Sequence, residues 1–161
     1  EHPVDAIIFA TGFHAHKFMW PMEIVGASGA TLEDTWKDDA RAYMGMTTPD
    51  FPNMFFLYGP NTGLGHGGSL IFHVECQTRY LAQCLMRTLE AGKRKIEVRP
   101  DINTAYNQRV DEEHERMVWT HVGVTNWYKN SRGRVISNSP WRLVDYWHMT
   151  HSPNMADYQL S

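Results

Sequence analysis

Residues 4–10, Val-Asp-Ala-Ile-Ile-Phe-Ala, are almost continuously apolar, which is the pattern of a parallel strand buried on both faces. Such a strand needs a neighbour on each side, yet this one starts at residue 4. The chain is therefore expected to be the carboxyl-terminal part of a longer protein. Thr11-Gly12 ends the run, and residues 14–50 mix Gly, Pro, Asp and aromatics without a sustained period, so loops and short strands are expected there. A second strand is predicted over residues 54–58, fenced by Pro52 and by Gly59-Pro60.

Helical periodicity takes over at about residue 69. Leu70, Val74, Leu81, Leu85 and Leu89 recur at three-to-four-residue spacing or its multiples and predict a helix to about residue 91 with one apolar stripe. Gly92 followed by Lys93-Arg-Lys95 is its stop. Ile96 and Val98 predict a short strand, and Pro100-Asp101 starts a second helix through about Trp119. The run Asp111-Glu-Glu-His-Glu-Arg116 reads as its solvated face. Asn130-Ser-Arg-Gly133 predicts a turn between Trp127-Tyr128 and Val135-Ile136, and extended structure is expected around Trp141, Tyr146 and Trp147.

The 161 residues, 42% hydrophobic and 12% aromatic, are enough for one domain with a core. A formal charge of -3 shows no broad basic bias, so nucleic-acid binding by a cationic face is not expected. No apolar run approaches the roughly 20 residues of a membrane helix, and no signal peptide is recognisable. A reducing, cytoplasmic setting is the expectation. Cys76 and Cys84 lie about 12 Å apart along the predicted helix, too far for a disulfide, and read as buried apolar thiols.

Chemistry concentrates between the second strand and the long helix, in Gly59-Pro-Asn-Thr-Gly-Leu-Gly-His-Gly-Gly-Ser69. A strand end, a glycine-dense turn and a helix amino terminus form a crevice where backbone N–H groups and the helix dipole favour anionic or electron-rich atoms. Gly63-Leu-Gly-His-Gly-Gly68 satisfies G-x-G-x-x-G literally. A dinucleotide fingerprint, however, needs a second parallel strand ending in an acidic residue about 20 positions on, and position 90 still lies in the predicted helix. No Lys-Ser or Lys-Thr follows the glycines, so a P-loop fails too. A helix amino terminus aimed at a flat, partly anionic ring remains, and a reduced flavin suits it.

Asp5-Ala-Ile-Ile-Phe-Ala-Thr-Gly-Phe13 resembles the ATG-type segment through which two-dinucleotide-domain flavoproteins return from their NADPH domain to their FAD domain. Tyr43-Met-Gly-Met46, Phe51-Pro-Asn-Met-Phe-Phe-Leu-Tyr-Gly-Pro-Asn-Thr62, Gly65-His-Gly-Gly-Ser69, Val74-Glu-Cys-Gln77 and Trp127-Tyr-Lys-Asn130 with Gly133-Arg134 follow it. In that order they resemble the carboxyl-terminal half of flavin-dependent Baeyer-Villiger monooxygenases, most closely the 4-hydroxyacetophenone monooxygenase group. The resemblance implies an α/β fold, present as an incomplete carboxyl-terminal portion of a Rossmann-like flavoprotein with a long helix and an aromatic-rich irregular tail. Its segments would be residues 1–13, the strand and linker from the NADPH domain; residues 14–99, part of the FAD domain; and residues 100–161, a helix and tail with a cofactor-closing loop.

Such enzymes reduce FAD with NADPH, form a peroxyflavin with molecular oxygen, and insert one oxygen atom next to a ketone carbonyl. The resemblance places Thr11 and Gly12 near the FAD pyrophosphate, and Gly59, Asn61, Thr62, Gly65 and His66 at the flavin. It places Leu64 and Leu70 at the substrate pocket, and Trp127, flanked by Tyr128, on a loop that closes over NADPH. The family's amino-terminal fingerprints and its catalytic arginine are missing, and none of Arg41, Arg79, Arg132 and Arg134 is assigned that role. Asn138-Ser-Pro-Trp141 also departs from the expected Asn-Trp-Pro order, so no pocket role is carried over there. The chain alone is expected to be inactive, and to expose apolar edges at residues 4–9 and 54–58 that drive self-association or bind the missing amino-terminal domains.

Other readings stay open. The same flavin chemistry serves nitrogen and sulfur oxygenation, and a non-catalytic α/β interaction module would also fit the patterning. His14-Ala-His16, with His66 and His73, invites a metal, but further ligands at fixed spacing are missing.

Overall fold

The computed structural model describes residues 2–12, 17–65, 67–123 and 126–161. In chain order its elements are α1 (Leu32–Trp36), α2 (Leu70–Glu90), β1 (Ile96–Val98), α3 (Pro100–His114), α4 (Leu143–Thr150) and β2 (Tyr158–Leu160), with short 3-10 turns at Val118–Thr120 and Met155–Asp157. The strands pair antiparallel with Ile96 opposite Leu160 and Val98 opposite Tyr158, so the end of the chain returns beside the end of α2.

The long helix begins where Ser69 Oγ accepts from the Phe72 N–H at 3.2 Å. It ends at Gly92, whose φ of 68° is the left-handed turn that a glycine adopts cheaply. Its buried face is His73, Cys76, Gln77, Tyr80, Leu81, Cys84 and Thr88. That differs from the predicted apolar stripe, of which only Leu81 is buried; Leu70, Leu85 and Leu89 face outward. Packing chose residues that combine bulk with a hydrogen bond. Gln77 Nε2 donates to the Tyr146 hydroxyl at 3.0 Å, and Thr88 Oγ1 donates to the Cys84 carbonyl at 2.7 Å. Cys76 and Cys84 are buried thiols, and burial pushes the Cys84 pKa up to about 11.

The main core joins α2, α3 and α4 to the small sheet through Tyr43, Met46, Tyr80, Val98, Tyr106, Val110, Tyr146 and Tyr158. A second cluster gathers Leu32, Trp36, Phe51 and Phe56. The predicted turn at residues 130–133 is present: Gly133 N–H donates to Asn130 O at 3.0 Å, and Lys129 bridges Val135.

Four expectations need correction. Residues 4–10 and 54–58 form no strand. The first run lies in the open, with Ile8 90% exposed, because no described segment pairs with it. The second is bent at Leu57 and Tyr58, and its Phe56 N–H donates to Met46 O instead of to a sheet neighbour. The segment around Tyr146 and Trp147 is helix α4, bound on Arg142 to Asp145 pairing in its first turn. Finally, α3 stops at His114, and Asp111 and His114 are drawn inward by partners described below. No helix among the described residues is long and apolar enough to cross a membrane.

Candidate functional site

The glycine-dense turn is built by hydrogen bonding to a segment more than seventy positions later. Asn61 N–H donates to Ile136 O at 3.0 Å, Gly63 N–H donates to Ser137 O at 2.8 Å, and Ser139 N–H donates back to Gly63 O at 2.8 Å. Close approach is what requires glycine. A Cβ on Gly59 would drive into the Gly45 carbonyl, and one on Gly65 would lie 2.8 Å from Asn138 Nδ2 and 3.1 Å from the Trp119 ring.

Asn61 and Thr62 serve as internal fasteners. Both are buried; Asn61 Nδ2 donates to Val135 O at 2.8 Å and to Asn138 O at 3.2 Å, and Thr62 Oγ1 donates to Gly59 O at 2.6 Å. Behind them sits Arg134, whose guanidinium spends its donors inside the protein. Nε reaches Asp111 at 2.7 Å, Nη1 reaches Asp39 and the Ala40 carbonyl at 3.2 Å each, and Nη2 reaches Asn61 at 3.2 Å and Asn107 at 3.3 Å. Arg41 and Arg132 pair with the same acidic residues, at 3.0 Å to Asp111 and 2.9 Å to Asp39. All three arginines are thus tied into a structural ion network.

His114 closes this layer. Its Nε2 stands 3.0 Å from Asn138 O. Burial pushes its pKa down to about 4, against the opposing pull of that hydrogen bond, so the ring is neutral at pH 7.

In front of the turn lies a cleft of about 350 Å³, walled by Phe18, Tyr58, Trp127 and Tyr128 and floored by Gly59, Gly63, Leu64, Gly65, Ser137 and Asn138. Tyr58 ties it to both sides: the Leu64 N–H donates to its hydroxyl at 3.2 Å, and its own N–H donates to Gln77 Oε1 on α2 at 2.8 Å. The Trp127 and Tyr128 rings lie 4.1 Å apart. The volume suits one ring system and is at the small end for ligand pockets. A crevice beside Trp20 and Trp36, about 50 Å³, is too small for a ring.

Of the expected site residues, Gly59, Leu64, Gly65 and Trp127 converge on this cleft. Asn61 and Thr62 lie behind it, with their side chains buried and bonded within the protein. Leu70 is 49% exposed and lines a different, apolar trough on α2 with Ile71 and Val74, so the fold does not bring it to Leu64. Thr11 and Gly12 are exposed and outside the cleft; Gly12 has a φ of 74° in open space. His66, like His14 and His16, falls outside the described residues. Among the described residues no group of three or more His, Cys, Asp and Glu could hold a metal. His73 is instead a core ring stacked on Tyr146 at 3.8 Å.

Sequence reasoning missed Phe18, Tyr58, Ser137 and Asn138 as cleft residues. Phe18 and the 137–138 pair sit in irregular segments without periodicity; the tertiary bonding of residues 61–63 to 136–139 brings in the pair, and Phe18 is held edge-on against Trp36.

The cleft fits the edge of a flat conjugated ring. Aromatic walls can stack on it, Gly59, Gly63 and Gly65 present bare backbone to it, and Asn138 Nδ2 is a buried donor with no partner.

No family model matches the sequence. Individual relatives do. The chain is 42% identical over 159 residues to an uncharacterized monooxygenase of Sinorhizobium fredii, covering 98% of this chain and 24% of that protein. It is 39% identical over 164 residues to an FAD-binding monooxygenase of Aspergillus niger, covering 99% of this chain and 27% of that one. A Baeyer-Villiger monooxygenase of Streptomyces coelicolor is 37% identical over 161 residues, with 99% and 31% covered. The chain thus spans about a quarter to a third of these relatives. Among solved structures, a closed form of cyclohexanone monooxygenase superposes with a TM-score of 0.78 at 23% identity, over 99% of this chain and 31% of that one. A steroid monooxygenase bound to NADP gives 0.72 at 23%, over 86% and 26%. The fold is therefore a portion of the α/β fold of those large flavoproteins.

Proposed function

We infer that this chain, whose homologues across almost its entire length are flavin-dependent Baeyer-Villiger monooxygenases, supplies one wall of the cofactor and substrate site of an FAD- and NADPH-dependent monooxygenase. The reaction is insertion of one oxygen atom from molecular oxygen next to a ketone carbonyl. The observation that carries this reading is the cleft in which Gly59, Leu64 and Gly65 of one turn meet Trp127 from a segment distant in sequence.

When bound, FAD would supply the oxygen-activating chemistry, with NADPH as the reductant. The chain's own residues bind and orient. The turn at residues 59–65 gives a backbone surface close enough for a ring edge, and Tyr58 and Tyr128 exclude water from its faces. Trp127 is more than half exposed at the rim, and in this reading it covers the nicotinamide. The outward apolar stripe of α2 and the open run at residues 4–9 are surfaces for the rest of the flavoprotein, Thr11 and Gly12 for the FAD pyrophosphate, and Leu70 for the far side of the substrate pocket. Arg41, Arg132 and Arg134 are engaged in the ion network, and by the family resemblance the catalytic arginine belongs to another domain, so this reading has the chain inactive alone. The motifs favour the 4-hydroxyacetophenone monooxygenase group, and a cytoplasmic location belongs to this reading.

The test is expression of the flavoprotein that carries this segment. A yellow protein that oxidises NADPH only when a ketone is present, and yields the ester, supports the reading. Oxygenation of an amine or sulfide, with ketones untouched, would move it to heteroatom chemistry; a colourless protein that ignores added FAD would leave a non-catalytic module.

A further inference from the structure

We propose that Asn138 is the polar anchor of the cleft, donating a hydrogen bond from Nδ2 to a carbonyl oxygen of a flat ligand held between Tyr58 and the Trp127–Tyr128 pair. Asn138 is only 2% exposed. Its carbonyl accepts from Asn61 Nδ2 at 3.2 Å and meets His114 Nε2 at 3.0 Å, and its Oδ1 accepts from the Ser137 hydroxyl at 3.5 Å. The main chain is pinned on both sides of Gly63 by Ser137 O and Ser139 N–H. Nδ2 is buried without a partner, in a residue that lines the cleft.

A buried donor held away from water and left without an acceptor is costly, and well-packed proteins keep few of them. Here the surroundings preserve it: Gly65, having no Cβ, leaves room for the amide where any other side chain would meet it. The acceptor it seeks is neutral. None of the described lining residues carries a charge, so nothing in the cleft would balance a phosphate or carboxylate, whereas a carbonyl oxygen on an apolar ring satisfies both the amide and the aromatic walls.

The inference rests on the monooxygenase reading for its two sources of that chemistry, a pyrimidine carbonyl of the flavin and the carbonyl of a ketone substrate. Both are measurable in the flavoprotein that carries this segment, with Asn138→Leu and with the near-isosteric Asn138→Asp, which replaces the donor by an acceptor. FAD affinity is read by fluorescence titration of the apoprotein. Affinity for cyclohexanone is read by quenching of tryptophan fluorescence without NADPH, and methylenecyclohexane, the same shape without an acceptor, is the control.

Both variants are expected to weaken FAD or cyclohexanone about ten-fold or more, with methylenecyclohexane unchanged. Loss in the FAD arm assigns the bond to the flavin, and loss in the ketone arm assigns it to the substrate. Should Asn138→Leu fail to fold, Asn138→Asp carries the comparison. A protein that binds no FAD defeats the monooxygenase reading while the ketone arm still decides Asn138. Equal affinity of variant and parent for both carbonyl ligands overturns the proposal.

Discussion

Arg134 Nη2 donates to Asn61 Oδ1 at 3.2 Å, fastening the floor of the cleft to an ion network that includes Asp39 and Asp111. The Arg134 side chain is only 11% exposed. Its removal leaves two carboxylates, two side-chain amide oxygens and the Ala40 carbonyl short of a donor in a partly buried place. Arg134→Met is expected to destabilise the chain by about 3 kcal/mol, the lower end for breaking a buried ion pair. Urea or thermal melts measure it. A loss below about 1 kcal/mol would place the network among exposed pairs of little consequence.

Gly65→Ala tests how closely the turn and the tail must approach. The new Cβ would meet Asn138 Nδ2 at 2.8 Å and the Trp119 ring at 3.1 Å. The amide must swing away, so about 1–3 kcal/mol of stability should be lost, in the range of overpacked sites. Ligand-dependent quenching of tryptophan fluorescence should vanish with it. A variant as stable as the parent, still responsive to ligand, would show that the seam yields without cost.

Regular elements were legible where local pattern decides them. Helical spacing from about residue 69 and the Gly92 stop marked α2 at both ends, and Ile96–Val98 and the 130–133 turn needed only near neighbours. The apolar stripe of α2 misled because hydrophobicity alone cannot tell which face finds a cover; Leu85 and Leu89 are exposed while Gln77 and His73 are buried. Residues 4–10 carry a strand pattern whose partners are not among the described residues. For the site, glycine spacing located the turn, but Asn138 and Arg134 enter through contacts across more than seventy positions, which no local signal records.

His114 makes stability depend on pH. Unfolded, its imidazole takes a proton near pH 6.5; folded, burial holds the pKa down to about 4. Between those values the unfolded chain binds more protons, so stability rises with pH through the window and is lost on acidification. At pH 4.5 the loss from this group should be about 2–3 kcal/mol relative to pH 7. Urea midpoints of the parent and His114→Gln, compared at both pH values, isolate it from the carboxylates. An equal fall in both proteins would mean that His114 titrates normally.

The open run at residues 4–9 leads to the last prediction. Ile7, Ile8 and Phe9 are among the most exposed large apolar residues of the chain, and no described segment covers them. Successive residues of an extended segment point to opposite sides, so Ile8 presents one face while Ile7 and Phe9 present the other. Both faces are therefore apolar, and an unpaired backbone between them is a template for pairing with another chain. The 161-residue chain alone is expected to bind a hydrophobic dye and to self-associate as its concentration rises. Ile8→Lys with Phe9→Ser should suppress both and leave the melting temperature within about 2 °C, because these side chains contribute nothing to either core. Dye fluorescence and sedimentation of the two proteins decide the matter: a parent chain that stays monomeric and dye-silent would mean that this segment finds a cover of its own in solution.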